Sequence, residues 1–107
     1  MSDTTCHLLL STCGNADDAE KLATTLVDEG LAACVNIVPG LRSIYHWQGK
    51  VQNDAEVLLI IKTGKELEPL ITRLSALHPY ELPEIIAVPI TDGSQDYLKW
   101  LTHPDQQ

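Results

Sequence analysis

The sequence predicts an α+β domain of the ferredoxin-like type, built on one antiparallel sheet and ending in an additional C-terminal helix. Three features indicate this fold. A short apolar segment opens the chain, two long β-rich segments meet at a glycine turn, and two further segments have helical spacing. In order they give β-α-β-β-α-β, which is the split βαβ arrangement. The 107 residues are enough for a single domain, residues 1–107, with one core.

The first strand and the first helix are marked by their end residues. The apolar run His7–Thr12 ends in turn-forming residues and is typical of a buried strand. Asn15 is a favourable N-cap, and acidic residues follow it at the positive end of the helix dipole. Apolar residues then recur with helical period at Ala19, Leu22, Ala23, Leu26 and Val27. Gly30 is a natural stop, so the pattern predicts an amphipathic helix that ends there.

The two β-rich segments predict a long hairpin. Its arms run from Leu31 to Trp47 and from Val51 to Thr63. Gly49 supplies the positive φ that the turn between them requires. Pro39-Gly40 predicts a bulge in the first arm, because proline cannot donate to the ladder and glycine tolerates unusual dihedral angles.

The arms of this hairpin are longer than the domain can cover, since a typical strand has about 5–6 residues. The distal half carries apolar side chains that should not all face water, namely Leu41, Ile44, Tyr45, Trp47 and Val51. It also leaves a strand edge unpaired. We therefore expect further copies of the chain to cover it in a closed symmetric ring, with Tyr45, Trp47 and Val51 in the interface.

The C-terminal third predicts a helix, a strand and a last helix. Glu66–Leu77 has one apolar stripe, formed by Leu67, Leu70, Ile71, Leu74 and Leu77. His78-Pro79 ends this helix, and Pro83 opens a strand that continues from Glu84 to Ile90. Ser94 is expected to cap the third helix, and the polar tail His103–Gln107 is expected to fray.

Charge and cysteine content narrow the possible partners. The net charge of −8 repels phosphate backbones, which argues against nucleic acid as a partner. No apolar segment is long enough to cross a membrane, and the N-terminus Met1–Thr5 is polar and unlike a signal peptide. The three cysteines form no CxxC pair and predict reduced thiols. These features favour a cytoplasmic protein without membrane insertion.

The sequence contains no recognisable catalytic set. Ser11 has no partner histidine close in the sequence, and Gly14 and Gly64 are isolated rather than part of a phosphate-binding loop. Arg42 and Arg73 are the only arginines, and no loop gathers them into a cradle for a phosphoryl group. We therefore expect a protein that is not an enzyme, since the fold alone does not imply an activity.

The densest local group of potential metal ligands is His78–Glu84. Its two prolines stiffen the segment, so that an imidazole and carboxylates could converge on an ion such as Cu²⁺ or Zn²⁺. The alternative is a rigid connection between a helix and a strand.

A second candidate site is a pocket at a subunit boundary. Lys62 would meet Glu56 or Glu84 there, and the pocket would be walled by Tyr45, Trp47 and Tyr80. The alternatives are an ordinary structural ion pair and simple interface packing.

Taken together, these motifs resemble the CutA family of divalent-cation tolerance proteins, from about His7 to His103. The matching stretches are Leu31-Ala32-Ala33-Cys34-Val35-Asn36, Val38-Pro39-Gly40, Tyr45-His46-Trp47-Gln48-Gly49-Lys50-Val51, Glu56, Lys62-Thr63, His78-Pro79-Tyr80, Pro83-Glu84 and Tyr97-Leu98-Lys99-Trp100-Leu101. The resemblance implies a ferredoxin-like subunit in a tight homotrimer, similar to the PII signalling proteins. It further implies a cytoplasmic location, a role in tolerance of copper and other heavy metals, and binding of Cu²⁺ or another divalent cation.

The resemblance also implies two overlapping sets of site residues. The pocket set matches throughout, at Trp47, Glu56, Lys62, His78, Tyr80 and Glu84. The metal set matches in part, at His78 and Glu84, with Cys13 as the nearest thiol. Some bacterial members have a cysteine where this chain has Ser11, and a second histidine where it has Leu77. We therefore expect weaker copper binding in this chain.

Three hypotheses of function follow. The first is a non-enzymatic homotrimer that binds divalent metal weakly and acts in metal tolerance. The second is a PII-like regulatory module that binds a small anionic ligand through Lys62 at the subunit cleft. The third is a purely structural trimer that scaffolds another protein.

Overall fold

A computed structural model describes residues 5–104 of the chain. Its elements are β1 (His7–Cys13), α1 (Ala16–Asp28), β2 (Cys34–Trp47), β3 (Lys50–Thr63), α2 (Leu67–Leu77), β4 (Ile86–Pro89) and α3 (Gln95–Thr102). Residues 1–4 of the polar N-terminus and residues 105–107 of the tail predicted to fray lie outside the described residues. Within residues 5–104, no helix is both long and apolar enough to span a bilayer.

The four strands form one antiparallel sheet in the order β2-β3-β1-β4. The two central strands, β1 and β3, come from different halves of the chain. Helix α1 connects β1 to β2, and helix α2 connects β3 to β4. This is the split βαβ topology, so the predicted ferredoxin-like fold is confirmed, including the additional helix α3.

The local signals at the helix ends are confirmed. The side chain of Asn15 accepts a hydrogen bond from the backbone N–H of Asp18 at 2.8 Å, which caps α1. Gly30 follows α1 with a φ of 73°, the left-handed conformation that glycine adopts without strain. Ser94 caps α3 by accepting from the backbone N–H of Tyr97 at 3.4 Å.

Strand alternation divides the sheet into a buried face and a half-exposed face. The buried face packs on α1 and α2, and its core residues include Leu9, Cys13, Val57, Leu59, Ile61, Leu22, Leu26, Leu70 and Leu74. The other face carries Leu8, Leu10, Leu58 and Ile60, which are only half-buried. Near one end of that face, α3 places the ring of Tyr97 5.7 Å from Nζ of Lys62.

The hairpin of β2 and β3 extends well past the rest of the sheet. Its turn is formed by Gln48 and Gly49, both with positive φ (51° and 78°), as expected for the tight turn of a twisted hairpin. The register of β2 on β3 shifts between Val38 and Leu41, so the predicted bulge at Pro39-Gly40 is confirmed. Pairing of β1 with β3 ends at Cys13–Val57. Beyond that pair, β3 is hydrogen-bonded to β2 alone, and we call this part, residues 41–56, the distal ribbon.

Several predicted boundaries are wrong, among them the starts of β3 and α2, which lie at Lys50 and Leu67 rather than Val51 and Glu66. The first arm of the hairpin begins at Cys34 rather than Leu31, because the N–H groups of Leu31 and Ala32 still bond to the carbonyl of Leu26. Cys13 is the last residue of β1 and not a residue past its end.

The fourth strand is Ile86–Pro89 and not Pro83–Ile90. It is short because its ladder with β1 runs only from Leu10–Ile86 to His7–Pro89. Glu84 therefore lies outside the sheet, in the connection between α2 and β4.

Candidate functional site

An open cleft of about 590 Å³ lies between the distal ribbon and the connection that follows α2. The residues that line it are Thr12, Ser43, Ile44, Tyr45, Trp47, Asp54, Glu56, Tyr80, Glu81, Leu82 and Glu84. Its size is within the range of small-molecule sites, about 300–1,000 Å³.

The ribbon wall of the cleft is built by strand register. Ser43 pairs with Asp54, and Leu41 pairs with Glu56, so that both carboxylates project from the same face of β3. Tyr45 reaches diagonally across the ladder and donates its hydroxyl hydrogen bond to Oδ2 of Asp54 at 2.5 Å. This hydrogen bond holds the ring of Tyr45 next to the carboxylate of Asp54.

The opposite wall is supplied by the connection after α2. The hydroxyl of Tyr80 donates to Oε2 of Glu56 at 2.6 Å, which spans the cleft between the two walls. Glu81, Leu82 and Glu84 follow Tyr80 and complete this side. Each tyrosine in the cleft thus holds one carboxylate of β3 in place.

His78 anchors this wall from behind and is 7% exposed. Its Nε2 donates to the backbone carbonyl of Thr12 at 2.8 Å, and its Nδ1 accepts from the backbone N–H of Tyr80 at 3.0 Å. This pair of bonds requires the neutral imidazole with its proton on Nε2. The ring centroids of His78 and Tyr80 are 4.8 Å apart. His78 therefore orients Tyr80, and both of its nitrogens are engaged.

Cys13 lies beneath His78 and is fully buried. Its Sγ is 3.9 Å from Nε2 of His78. Burial, followed by the negative charges of Asp18 and Glu56, raises the pKa of the Cys13 thiol to about 11. At neutral pH the sulfur is thus a protonated thiol, whereas a metal ligand would have to be a thiolate.

The cleft is strongly acidic. Four carboxylates, from Asp54, Glu56, Glu81 and Glu84, line it, and none of its described lining residues is basic. Burial, and then the hydrogen bond to Glu56, raises the pKa of Tyr80 far above its ordinary value. The hydrogen bond to Asp54 is the main cause that raises the pKa of Tyr45. Both phenols therefore remain neutral donors, and the negative charge resides on the carboxylates.

The structure brings together four of the six residues of the predicted pocket: Trp47, Glu56, Tyr80 and Glu84. His78 is adjacent but buried behind Tyr80. Lys62 is not part of the cleft within one chain. It lies six residues from Glu56 on the same face of β3, roughly 20 Å along an extended strand.

The predicted metal set does not assemble within one chain. His78 and Cys13 are neighbours, but Glu84 lies on the exposed side of the cleft. Across the part of the chain that the structure describes, no three His, Cys, Asp or Glu side chains are grouped so as to hold an ion.

Sequence reasoning missed Asp54 as a residue of the cleft. Asp54 could have been found, because it stands two residues before Glu56 on a predicted strand and must share its face. Glu81 belongs to the His78–Glu84 group that the sequence analysis put forward, and it lines the cleft together with Glu84.

The family model described as CutA1 divalent ion tolerance protein matches residues 7–104. The divalent-cation tolerance protein CutA of Thermus thermophilus is 53% identical over 96 residues, which cover 89% of this chain and 93% of the relative. The chloroplastic protein CutA of Arabidopsis thaliana is 57% identical over 91 residues, which cover 84% of this chain and 50% of the relative. This chain thus spans about half the length of the Arabidopsis relative.

A solved structure of a CutA protein has the same fold as this chain. CutA from Xylella fastidiosa superimposes with a TM-score of 0.87 at 47% identity, covering 90% of this chain and 93% of that structure. The family description names tolerance of divalent ions and no catalysed reaction. The match of residues 7–104, supported by these relatives, shows that the chain belongs to the CutA1 divalent ion tolerance family.

Proposed function

We propose that this protein is a non-enzymatic homotrimer that binds divalent cations, Cu²⁺ among them, in the acidic cleft and acts in divalent-cation tolerance. The observation that supports the proposal is that four carboxylates line one cleft, with no basic residue among its described lining residues. Uncompensated carboxylates attract cations, and carboxylate oxygens are ligands for divalent metals. The family description supports the same class of ligand.

The ligands we propose are Glu84 and Glu56, with the other cleft carboxylates nearby. This revises the predicted set of His78, Glu84 and Cys13. The imidazole would have to give up a bond to Thr12 or to Tyr80, and the thiol would have to ionise while buried. A site of oxygen ligands should bind metal modestly, with Cu²⁺ ahead of Mn²⁺ in the usual order of divalent affinities.

The trimer is proposed from the exposed apolar side chains of the single chain. Ile44 and Val51 in the distal ribbon are 68% and 67% exposed, and Ile86 in the edge strand β4 is 52% exposed. Apolar groups so placed on an unpaired edge usually meet another copy of the chain. We keep Tyr45, Trp47 and Val51 as the proposed interface, with the cleft at the boundary between subunits.

No observation favours the alternative of a PII-like module for a small anion. That hypothesis places Lys62 in a cleft between subunits, and within one chain Lys62 lies over the ring of Tyr97. The four carboxylates of the cleft would repel an anion. The hypothesis of a pure scaffold likewise has no feature of its own in support.

We also propose a cytoplasmic location. The described cysteines, Cys6, Cys13 and Cys34, are all free thiols, which fits a reducing compartment. The Arabidopsis relative is named as chloroplastic, so the compartment of this chain needs its own measurement, for which cell fractionation suffices.

Calorimetric titration with Cu²⁺ and Mn²⁺ tests the proposed metal site. We expect the double variant Glu56→Gln, Glu84→Gln to lower the affinity at least about tenfold, because removing two negatively charged ligands should cost at least about 1.4 kcal/mol of binding free energy. Glu68→Gln, an acidic residue in the first turn of α2, is the matched control and should bind as the wild type does.

The variant His78→Gln separates the two sets of ligands. If the carboxylates hold the ion, this variant should change the affinity far less than the double variant does. A loss of Cu²⁺ binding in His78→Gln, with the double variant unaffected, would show that our revision of the ligand set is mistaken.

A further inference from the structure

We draw no further inference here: the strongest candidate, the cluster of carboxylates in the cleft between the distal ribbon and the connection after α2, belongs to the site already described and lies at the proposed boundary between subunits, where no second feature of the described residues points to another ligand.

Discussion

Ser11 is a buried hydroxyl with no bonding partner. It is fully buried on the core face of β1, and its Oγ is the one buried side-chain polar atom in residues 5–104 that makes no hydrogen bond. A buried polar group without a partner is destabilising, because it has lost its bonds to water. We expect Ser11→Ala to raise the free energy of unfolding by about 1 kcal/mol. Urea denaturation with an unchanged m value is the measurement.

Thr63 supplies the matched control for Ser11. It is equally buried on the core face of β3, but its hydroxyl donates to the carbonyl of Leu31 and accepts from the N–H of Lys65, both at 3.0 Å. Thr63→Val should therefore lower the free energy of unfolding by roughly 1–3 kcal/mol. If Ser11→Ala is destabilising by a similar amount, the serine hydroxyl must have a partner in solution.

Single residues were predictable from the sequence where their role depends on close neighbours. The cap at Asn15, the stop at Gly30 and the bulge at Pro39-Gly40 each involve only the adjacent backbone, and all three are confirmed. The orientation of His78 was not predictable. It depends on the carbonyl of Thr12, 66 residues away in the sequence, and no local pattern records such a contact.

The docking of α3 depends on a close approach to Gly64. A Cβ atom at Gly64 would lie 2.7 Å from Cγ2 of Thr102 and 2.8 Å from the carbonyl oxygen of Leu101. Because the second of these atoms belongs to the backbone, α3 itself must shift to make room. We expect Gly64→Ala to lower the free energy of unfolding by about 1–3 kcal/mol, the usual range for overpacking. Chemical denaturation, with Trp100 fluorescence as a reporter of α3, measures this change.

Gly93 is the control for this element, since it also adjoins α3. A Cβ there would make only ordinary contacts with Leu98, at 3.6 Å and beyond. Gly93→Ala should leave the stability within about 0.5 kcal/mol of wild type. If the two variants unfold at the same denaturant concentration, the close approach at Gly64 is not a determinant of α3 docking.

Elements differ in how well the sequence predicts them. Helices α1 and α2 follow from apolar periodicity, because each buries one stripe of its own residues. The length of β4 instead depends on how many residues of β1 remain to pair with it, and this is why Glu84 was wrongly placed in a strand. Which residues line the cleft likewise depends on their positions along the paired strands. Lys62 and Glu56 share one face of β3, but within one chain their separation along the strand keeps Lys62 out of the cleft.

The protein as a whole combines a conventional core with a ribbon that the core does not cover. The chain measures 48 × 25 × 24 Å along its principal axes, and the distal ribbon contributes to the long dimension. By strand alternation, Val51 lies on the face opposite to Asp54 and Glu56. Val51 is not among the residues that line the cleft, whereas Tyr45 and Trp47 belong to both the cleft lining and the proposed interface. A change at Val51 can therefore perturb assembly without altering the cleft lining.

Val51 allows this separation to be tested. Because it is 67% exposed in the single chain, Val51→Glu should hardly change the stability of a subunit, by about 0.5 kcal/mol or less. In an interface, however, the buried charge would be strongly unfavourable. We expect the wild type to sediment at about three times the 11.8 kDa mass of the chain at micromolar concentration, and Val51→Glu to sediment as a folded monomer. Val27→Glu, at an exposed valine on α1, is the control and should remain trimeric. A wild-type protein that is itself a monomer would refute the proposed trimer, and a trimeric Val51→Glu would remove this face of the ribbon from the interface.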